Sequence, residues 1–225
     1  AVEKIGKFVE EGGIHTIYTP NAEIMMAAVR DPELKDILNQ ADMLVADGAG
    51  VVLASKLLGR TVPEKVSGVD LVMNTFRTYA SKGIRCFLFG AKPGVAEEAA
   101  ERITRDYPGV IVTGCRNGYF SAEQDEEIVD AINASGADIL LVALGAPKQE
   151  KWIYNHKDRI NVKVCIGVGG TLDILSGRVK LAPEFFRKHG LEWLHRLCRE
   201  PRRAVRMLDL PRFIIRVLIA KISGK

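Results

Sequence analysis

The chain has 225 residues, of which 47% are apolar and 27% are charged, and its formal net charge at pH 7 is +4. This length and composition suit one globular domain with a sizeable core. No signal-peptide pattern opens the sequence, and no apolar run approaches the roughly 20 residues of a membrane-spanning helix. The residues of this sequence therefore predict no membrane-spanning helix.

The cysteines and histidines lack the spacing of a metal site. The four histidines show no H-x-x-x-H pattern and the four cysteines no C-x-x-C pair, so we expect no metal centre. The first three cysteines fall in or beside apolar strands, which is typical of reduced thiols in a cytosolic protein. The cysteines are Cys86, Cys115, Cys165 and Cys198.

In chain order, apolar runs of strand length alternate with segments of helical period. Strands are predicted at residues 14–18, 43–46, 85–89, 110–113, 138–144 and 162–168. Helices are predicted at residues 2–9, 22–39, 51–58, 69–82 and 121–134, with another ending near Tyr107 and another carrying Trp152. Ser121 and Gln124 have the spacing of a capping box at the start of the helix at 121–134. Six strands alternating with helices predict an α/β fold, a doubly wound and mainly parallel sheet with helices on both faces.

Asp47 is the first polar residue after the predicted strand at 43–46, which we expect to be buried on both faces. Ligands of open parallel sheets bind outside the carboxyl ends of the strands, so a carboxylate here is a candidate for chemistry. Asp is also a common turn former and a good helix N-cap. The residue types alone leave both interpretations open.

Known nucleotide fingerprints do not fit the glycine-containing loops. After Gly48 and Gly50, the third position of a G-x-G-x-x-G motif is Leu53, and after Gly167 and Gly169 it is Leu172. The sequence also lacks a G-x-x-x-x-G-K-[ST] phosphate loop and a G-x-S-x-G elbow. No cofactor is therefore expected. Backbone N–H groups at strand ends and helix N-termini still suit a diphosphate.

The C-terminal residues 196–225 form a basic tail behind a body of residues 1–195. The tail has nine Lys or Arg against two acidic residues, so its net charge is +7 and that of the body is −3. Pro201 and Pro211 divide it into short helical pieces. Apolar residues of the second piece recur at helical spacing, with arginines on another side, and they are Phe213, Ile214, Val217 and Leu218. This pattern fits a helix in a membrane interface, or a terminal helix packed on the body.

Residues 167–203 resemble the signature of the WecG/TagA/CpsF glycosyltransferase family. The matching residues are the glycine pair Gly169-Gly170, Asp173, Ser176-Gly177, Ala182-Pro183, Gly190-Leu-Glu-Trp193, Arg196-Leu197 and Glu200-Pro201. Four earlier motifs match the same family in the same order, namely Thr19-Pro20-Asn21, Asp47-Gly48, Asn117-Gly-Tyr-Phe120 and Gly145-Ala-Pro-Lys-Gln-Glu150. Members typically carry one further strand before the first helix predicted here, so we expect an N-terminal truncation.

The resemblance implies an inverting transfer of N-acetylmannosamine from its UDP derivative to undecaprenyl-diphosphate-linked N-acetylglucosamine, as in assembly of the teichoic acid linkage unit. It assigns the general base to Asp47 and the orientation of sugar groups to Thr19 and Asn21, although Asn21 also suits an Asx-turn. Because the sequence contains no Asp-x-Asp pair, catalysis is expected to be metal-independent.

Other residues are expected to bind substrate. Gln149 is placed to bind uracil or ribose, and Lys148 to lie near the diphosphate, although an exposed helix start would explain Lys148 as well. Asp173, which matches the family signature, would equally suit the cap of a helix. The glycine-rich loop would let the donor approach the backbone, and one tail arginine would fold over the diphosphate. These residues are Gly169, Gly170 and Thr171 in the loop and Arg196, Arg203 or Arg206 in the tail.

The expected partners are a UDP-sugar, a polyprenyl-diphosphate-linked acceptor and an anionic membrane surface, on the inner face of the cell membrane. The resemblance also implies a homo-oligomer. Alternatives are a donor carrying N-acetylmannosaminuronic acid or another hexose, or a non-catalytic, membrane-associated nucleotide-binding module. Nucleic acid is not expected, because the body is acidic and no aromatic cluster accompanies the arginines.

Overall fold

The computed structural model describes residues 1–60, 62, 65–199, 201 and 204–223, apart from the side chain of Arg196. In this part of the chain six strands form one sheet, in the order β2-β1-β6-β5-β3-β4, and every neighbouring pair is parallel. The strands are β1 (His15–Tyr18), β2 (Met43–Leu44), β3 (Arg85–Gly90), β4 (Ile111–Arg116), β5 (Ile139–Ala143) and β6 (Val164–Gly167). The predicted parallel α/β sheet is confirmed.

The helices lie before the first strand, in the connections between strands and in the C-terminal segment that follows β6. They are α1 (Val2–Glu10), α2 (Ala22–Arg30), α3 (Pro32–Asn39), α4 (Ala49–Leu57), α5 (Gly68–Tyr79), α6 (Val95–Asp106), α7 (Asp125–Ser135), α8 (Lys148–His156), α9 (Thr171–Leu175), α10 (Glu184–Lys188), α11 (Glu192–Arg199), α12 (Ala204–Met207) and α13 (Asp209–Ile222). The capping box of Ser121 and Gln124 is confirmed, at a 3-10 turn that leads into α7.

Two connections show that helices cover both faces of the sheet. From β3 the chain passes through α6 to β4 at the sheet edge, whereas from β5 it passes through α8 to β6 in the opposite direction. Crossovers between parallel strands are right-handed, so α6 and α8 lie on opposite faces. The point where the chain leaves neighbouring strands in opposite directions is a topological switch point, and here it lies between β3 and β5.

The strand before Asp47 differs from its prediction. β2 has only two residues, and Leu44 is exposed, so this strand is not buried on both faces. The reason is its place at the edge of the sheet, where it pairs with β1 alone. The helix predicted at residues 22–39 is also two helices, because Pro32 cannot continue α2 and instead begins α3.

The chain divides into two compact units. Unit 1 comprises Ala1–Tyr18, Ile37–Leu44 and Gly68–Lys180 and holds the whole sheet. Its core consists of the buried strands β3, β5 and β6 with the apolar faces of the surrounding helices. Cys86 and Cys165 lie in this core as free thiols, and burial raises the pKa of Cys86 to about 12.

Unit 2 comprises Thr19–Asp36, Val45–Ser67 and Leu181–Lys225, and its core joins α2, α4 and α13. Phe213 and Val217 of α13 are buried there, so the prediction that they belong to a membrane-facing side is wrong for these two residues. Arg30 of α2 donates two hydrogen bonds to the carboxylate of Asp209, at 2.8 and 2.7 Å. Within the described residues, no helix is both long and apolar enough to span a membrane.

Candidate active site

A cleft of about 580 Å³ opens in unit 1 at the carboxyl ends of four strands. Its walls come from the loops that follow β3, β4, β5 and β6, so it lies at the switch point between β3 and β5. This is where open α/β sheets bind their ligands. Its lining includes charged side chains, an aromatic ring and two glycines, namely Lys92, Lys148, Asp173, Tyr119, Gly169 and Gly170.

The floor of the cleft depends on a close backbone approach at Gly90. A Cβ at this position would lie 2.4 Å from the carbonyl oxygen of Ala143, so only glycine fits where β3 and β5 end side by side. Ala91 follows with a φ of 59° and donates its N–H to the same carbonyl at 2.9 Å. Gly118 then donates to the carbonyl of Ala91 at 2.9 Å. These bonds bring the loop after β4 against the ends of β3 and β5.

The cleft favours an anion. Lys92 and Lys148 line it against one carboxylate, Asp173. Lys148 is the first residue of α8, and α6 begins three residues after Lys92, so the positive ends of two helix dipoles add to the lysine charges. The ammonium of Lys148 lies 4.7 Å from the centroid of the Phe120 ring. Tyr119 is 66% exposed at the rim, where a planar base could stack on it.

Gln149 is buried beneath this cleft with its amide already engaged. Its side chain is 2% exposed, and its Oε1 accepts the N–H of Gly169 at 2.9 Å. Its Nε2 donates to Oε1 of Glu150 at 2.8 Å. Gln149 therefore fixes the glycine-rich loop that lines the cleft. Its predicted contact with uracil or ribose remains a prediction.

Glu150 is a buried carboxyl that the sequence analysis did not single out as a site residue. It is 0% exposed, and its Oε2 has no hydrogen-bond partner among the described residues. Burial raises the pKa of Glu150, while the hydrogen bond from Gln149 acts in the opposite direction. The sequence does not predict this burial, because Glu150 belongs to a polar and charged motif at the start of a helix.

The glycine-rich loop after β6 is built into the cleft wall. Gly169 and Gly170 line the cleft, and α9 begins at Thr171. The hydroxyl of Thr171 donates to the carbonyl of Val168 at 2.7 Å and is buried, so it holds the loop rather than facing ligand. Asp173 lies in the first turn of α9, whose N-cap is Gly170, so Asp173 is not the cap.

Unit 2 brings three other predicted site residues together. The N–H of Asp47 donates to the carbonyl of Pro20 at 3.2 Å, which ties the Asp47 loop to the segment containing Thr19 and Asn21. Asp47 is half-buried, and the N-cap of α4 is Gly48, so Asp47 is not the helix cap. Asn21 is the N-cap of α2 and accepts the N–H of Ile24 at 3.0 Å, so its structural role is that of a helix cap rather than the Asx-turn considered for it. Thr19 is buried.

The tail arginines are only partly described. Arg203 lies outside the described residues, and so does the side chain of Arg196, although its backbone belongs to α11. Arg206 pairs with Glu23 of α2 at 3.2 Å, within unit 2. Among the described side chains, no group of three or more His, Cys, Asp or Glu could hold a metal ion.

The full length, residues 1–225, matches the model of the glycosyl transferase WecG/TagA/CpsF family. This chain belongs to that family. A relative from Bacillus spizizenii is 39% identical over 202 residues, which cover 90% of this chain and 78% of the relative. A relative from Staphylococcus aureus strain MRSA252 is 33% identical over 222 residues, covering 98% and 87%. Both carry the name N-acetylglucosaminyldiphosphoundecaprenol N-acetyl-beta-D-mannosaminyltransferase.

The family predicted from the ordered motifs is therefore confirmed, and the chain is a glycosyltransferase. The non-catalytic nucleotide-binding module considered as an alternative loses its support. The motif after β5 supplies Lys148, Gln149 and Glu150, and the motif after β4 supplies Tyr119 and Phe120, so both motifs contribute to one cleft or its supporting layer.

Proposed function

We propose that this enzyme transfers N-acetylmannosamine from UDP-N-acetylmannosamine to N-acetylglucosaminyl-diphosphoundecaprenol, in assembly of the wall teichoic acid linkage unit. The observation that carries the proposal is the cleft at the switch point, where two lysines and two helix N-termini converge. These groups suit the diphosphate of a nucleotide-sugar, and the relatives' names supply the transferred sugar and the acceptor.

The proposed chemistry is a single displacement with inversion. Asp47 takes the proton of the acceptor hydroxyl, and the hydroxyl oxygen attacks the anomeric carbon. The bond from that carbon to the UDP oxygen breaks at the same time, and its electron pair leaves with UDP. Lys92 and Lys148, with the N-termini of α6 and α8, stabilise the developing charge on UDP. Thr19 and Asn21 orient the sugar hydroxyl and acetamido groups.

The remaining predicted residues complete the proposed substrate site. Gly169 and Gly170 form the wall that the donor approaches, while Gln149 and the buried hydroxyl of Thr171 hold this wall in place. One of Arg196, Arg203 and Arg206 neutralises the diphosphate once the lipid acceptor is present. For Arg206 this requires release of its pair with Glu23.

We further propose that the enzyme binds as a peripheral protein to the inner face of the cell membrane. The outer side of α13 is apolar, and its exposed residues are Ile214, Ile215, Leu218, Ile219 and Ile222. At 3.6 residues per turn, Lys221 borders this face on one side, with Arg212 and Arg216 on the other. An apolar helix face flanked by basic residues is typical of binding to an anionic lipid surface, where each basic residue contributes about 1 kcal/mol.

A donor panel tests the reaction. The enzyme is incubated with a short-chain analogue of the lipid-linked N-acetylglucosamine acceptor, and released UDP is measured for each UDP-sugar in turn. We expect acceptor-dependent release that is fastest with UDP-N-acetylmannosamine. Faster release with UDP-N-acetylmannosaminuronic acid or another UDP-hexose would assign the enzyme to a different surface polysaccharide. Absence of acceptor-dependent release with every donor would contradict the proposed activity.

A further inference from the structure

The motif Gly190-Leu-Glu-Trp193 belongs to the family signature, yet none of its residues takes part in the proposed chemistry. Gly190 joins α10 to α11 with a φ of 68°, a left-handed conformation that favours glycine. A Cβ at this position would lie 2.5 Å from the Cβ of Ala49, the first residue of α4. The motif therefore packs directly against the start of α4, two residues after Asp47.

Glu192, in the first turn of α11, adds a second contact. Both of its carboxylate oxygens accept hydrogen bonds from Nζ of Lys65, at 2.9 and 2.8 Å. The same Nζ donates to the carbonyl of Arg187 in α10, at 3.2 Å. The side chains of Lys65 and Glu192 are 24% and 22% exposed, so water screens this pair less than an ordinary surface pair.

Lys65 immediately precedes Val66, whose backbone N–H forms a hydrogen bond with the residue before the proposed base Asp47. Val66 donates its N–H to the carbonyl of Ala46 at 3.1 Å, and Asp47 donates its N–H to the carbonyl of Pro20 at 3.2 Å. The carbonyl of Ala46 and the N–H of Asp47 belong to one planar peptide group. Both polar ends of that group are therefore held, which fixes the direction in which the Asp47 side chain leaves the backbone.

We propose that Glu192 is a positioning residue that acts through Lys65 on the peptide group preceding Asp47. The contact of Gly190 with Ala49 braces the other side of the same loop. Glu192 and Gly190 thus set the geometry of the base without touching substrate themselves. This inference rests on the proposed role of Asp47.

Charge reversal tests the inference. Glu192→Lys places two ammonium groups together, and Lys65→Glu places two carboxylates together, so each should displace the loop. We expect kcat for UDP release to fall about 10- to 100-fold in each, as for a catalytic group displaced by about 1 Å, with the KM for the donor little changed. The double variant restores opposite charges and should recover most of kcat. Lys65→Arg should stay near the parent enzyme.

Two further variants separate positioning from loss of folding. Glu184→Gln removes the exposed pair with Lys188 on α10 and should leave kcat and the melting temperature unchanged. Gly190→Ala should lower kcat, and adding Ala49→Gly should recover part of the loss because it removes the atom that the new Cβ meets. Failure of both rescues, in proteins that melt normally, would overturn the inference.

The Asp47→Asn background distinguishes this inference from the proposed function. If Glu192 acts through Asp47, adding Glu192→Lys to Asp47→Asn should cause little further loss of kcat. A full additional 10- to 100-fold loss would show that Glu192 acts elsewhere, and only the inference would fall. Parent-like turnover in Asp47→Asn alone would instead contradict the proposed base, whatever the Glu192 variants do.

Discussion

At the scale of single residues, Glu150 should make the stability of the protein depend on pH. Burial raises the pKa of Glu150 in the folded state, so the folded protein keeps a proton that the unfolded chain releases above about pH 4.3. The proton that Glu150 retains therefore stabilises the folded protein fully below about pH 4.3. This stabilisation is lost as the pH rises towards the pKa of Glu150 in the folded state.

The matched variant is Glu150→Gln, which keeps an acceptor for Nε2 of Gln149 but cannot ionise. We expect the free energy of unfolding of the variant, relative to that of the parent, to increase as the pH rises from 4 to 7. The increase should be at most about 1.4 kcal/mol per pH unit. Denaturant titrations at several pH values measure this difference. Curves that stay parallel from pH 4 to 7 would show that folding does not raise the pKa of Glu150.

The charges proposed to stabilise UDP also belong to single residues. Lys92 and Lys148 are fixed cations at the cleft, and the sequence contains no Asp-x-Asp pair to hold a divalent ion on a nucleotide-sugar. We therefore expect turnover to persist in excess chelator and to change less than about twofold when Mg²⁺ or Mn²⁺ is added. Loss of activity in chelator, restored by either metal, would contradict metal-independent catalysis.

At the scale of elements, the strands and their following loops were predictable because both depend on local sequence. A buried strand shows as a continuous apolar run, and the residues after it necessarily lie at the carboxyl edge of a parallel sheet. This placed Lys148, Gly169 and Gly170 at the cleft. The exposure of Leu44 was not predictable in the same way, because it depends on which strand occupies the sheet edge.

Contacts between distant segments account for most of what the sequence could not supply. The burial of Glu150 depends on how α8 packs against the sheet, and the pairing of Lys65 with Glu192 joins residues 127 positions apart. The apolar period of α13 is visible in the sequence, but that period alone does not separate Phe213, which packs against α2 and α4, from its exposed neighbours.

The two sides of α13 allow a matched test of membrane docking. Ile215→Ser with Ile219→Ser changes exposed residues, so we expect weaker sedimentation with phosphatidylglycerol vesicles and an unchanged melting temperature. Val217→Ala removes buried methyl groups and should lower the melting temperature instead. Vesicle binding that is indifferent to the two serines, or equal on neutral phosphatidylcholine, would remove α13 from the proposed membrane surface.

At the scale of the whole molecule, the two compact units hold different groups of the proposed site residues. Unit 1 contains the cleft proposed to bind the nucleotide diphosphate, and unit 2 contains Asp47, the proposed base, with Lys65 and Glu192, which are proposed to position it. A homo-oligomer also remains a prediction of family membership.

The most direct measurement is the rate of acceptor-dependent UDP release by Asp47→Asn beside the parent enzyme. Asparagine keeps the shape of the side chain and the backbone hydrogen bond to Pro20, but it cannot take up the proton of the acceptor sugar's hydroxyl group. We expect turnover to fall about 10²- to 10⁴-fold with an unchanged melting temperature, and a smaller fall in Asp173→Asn. Parent-like turnover in Asp47→Asn would contradict the account.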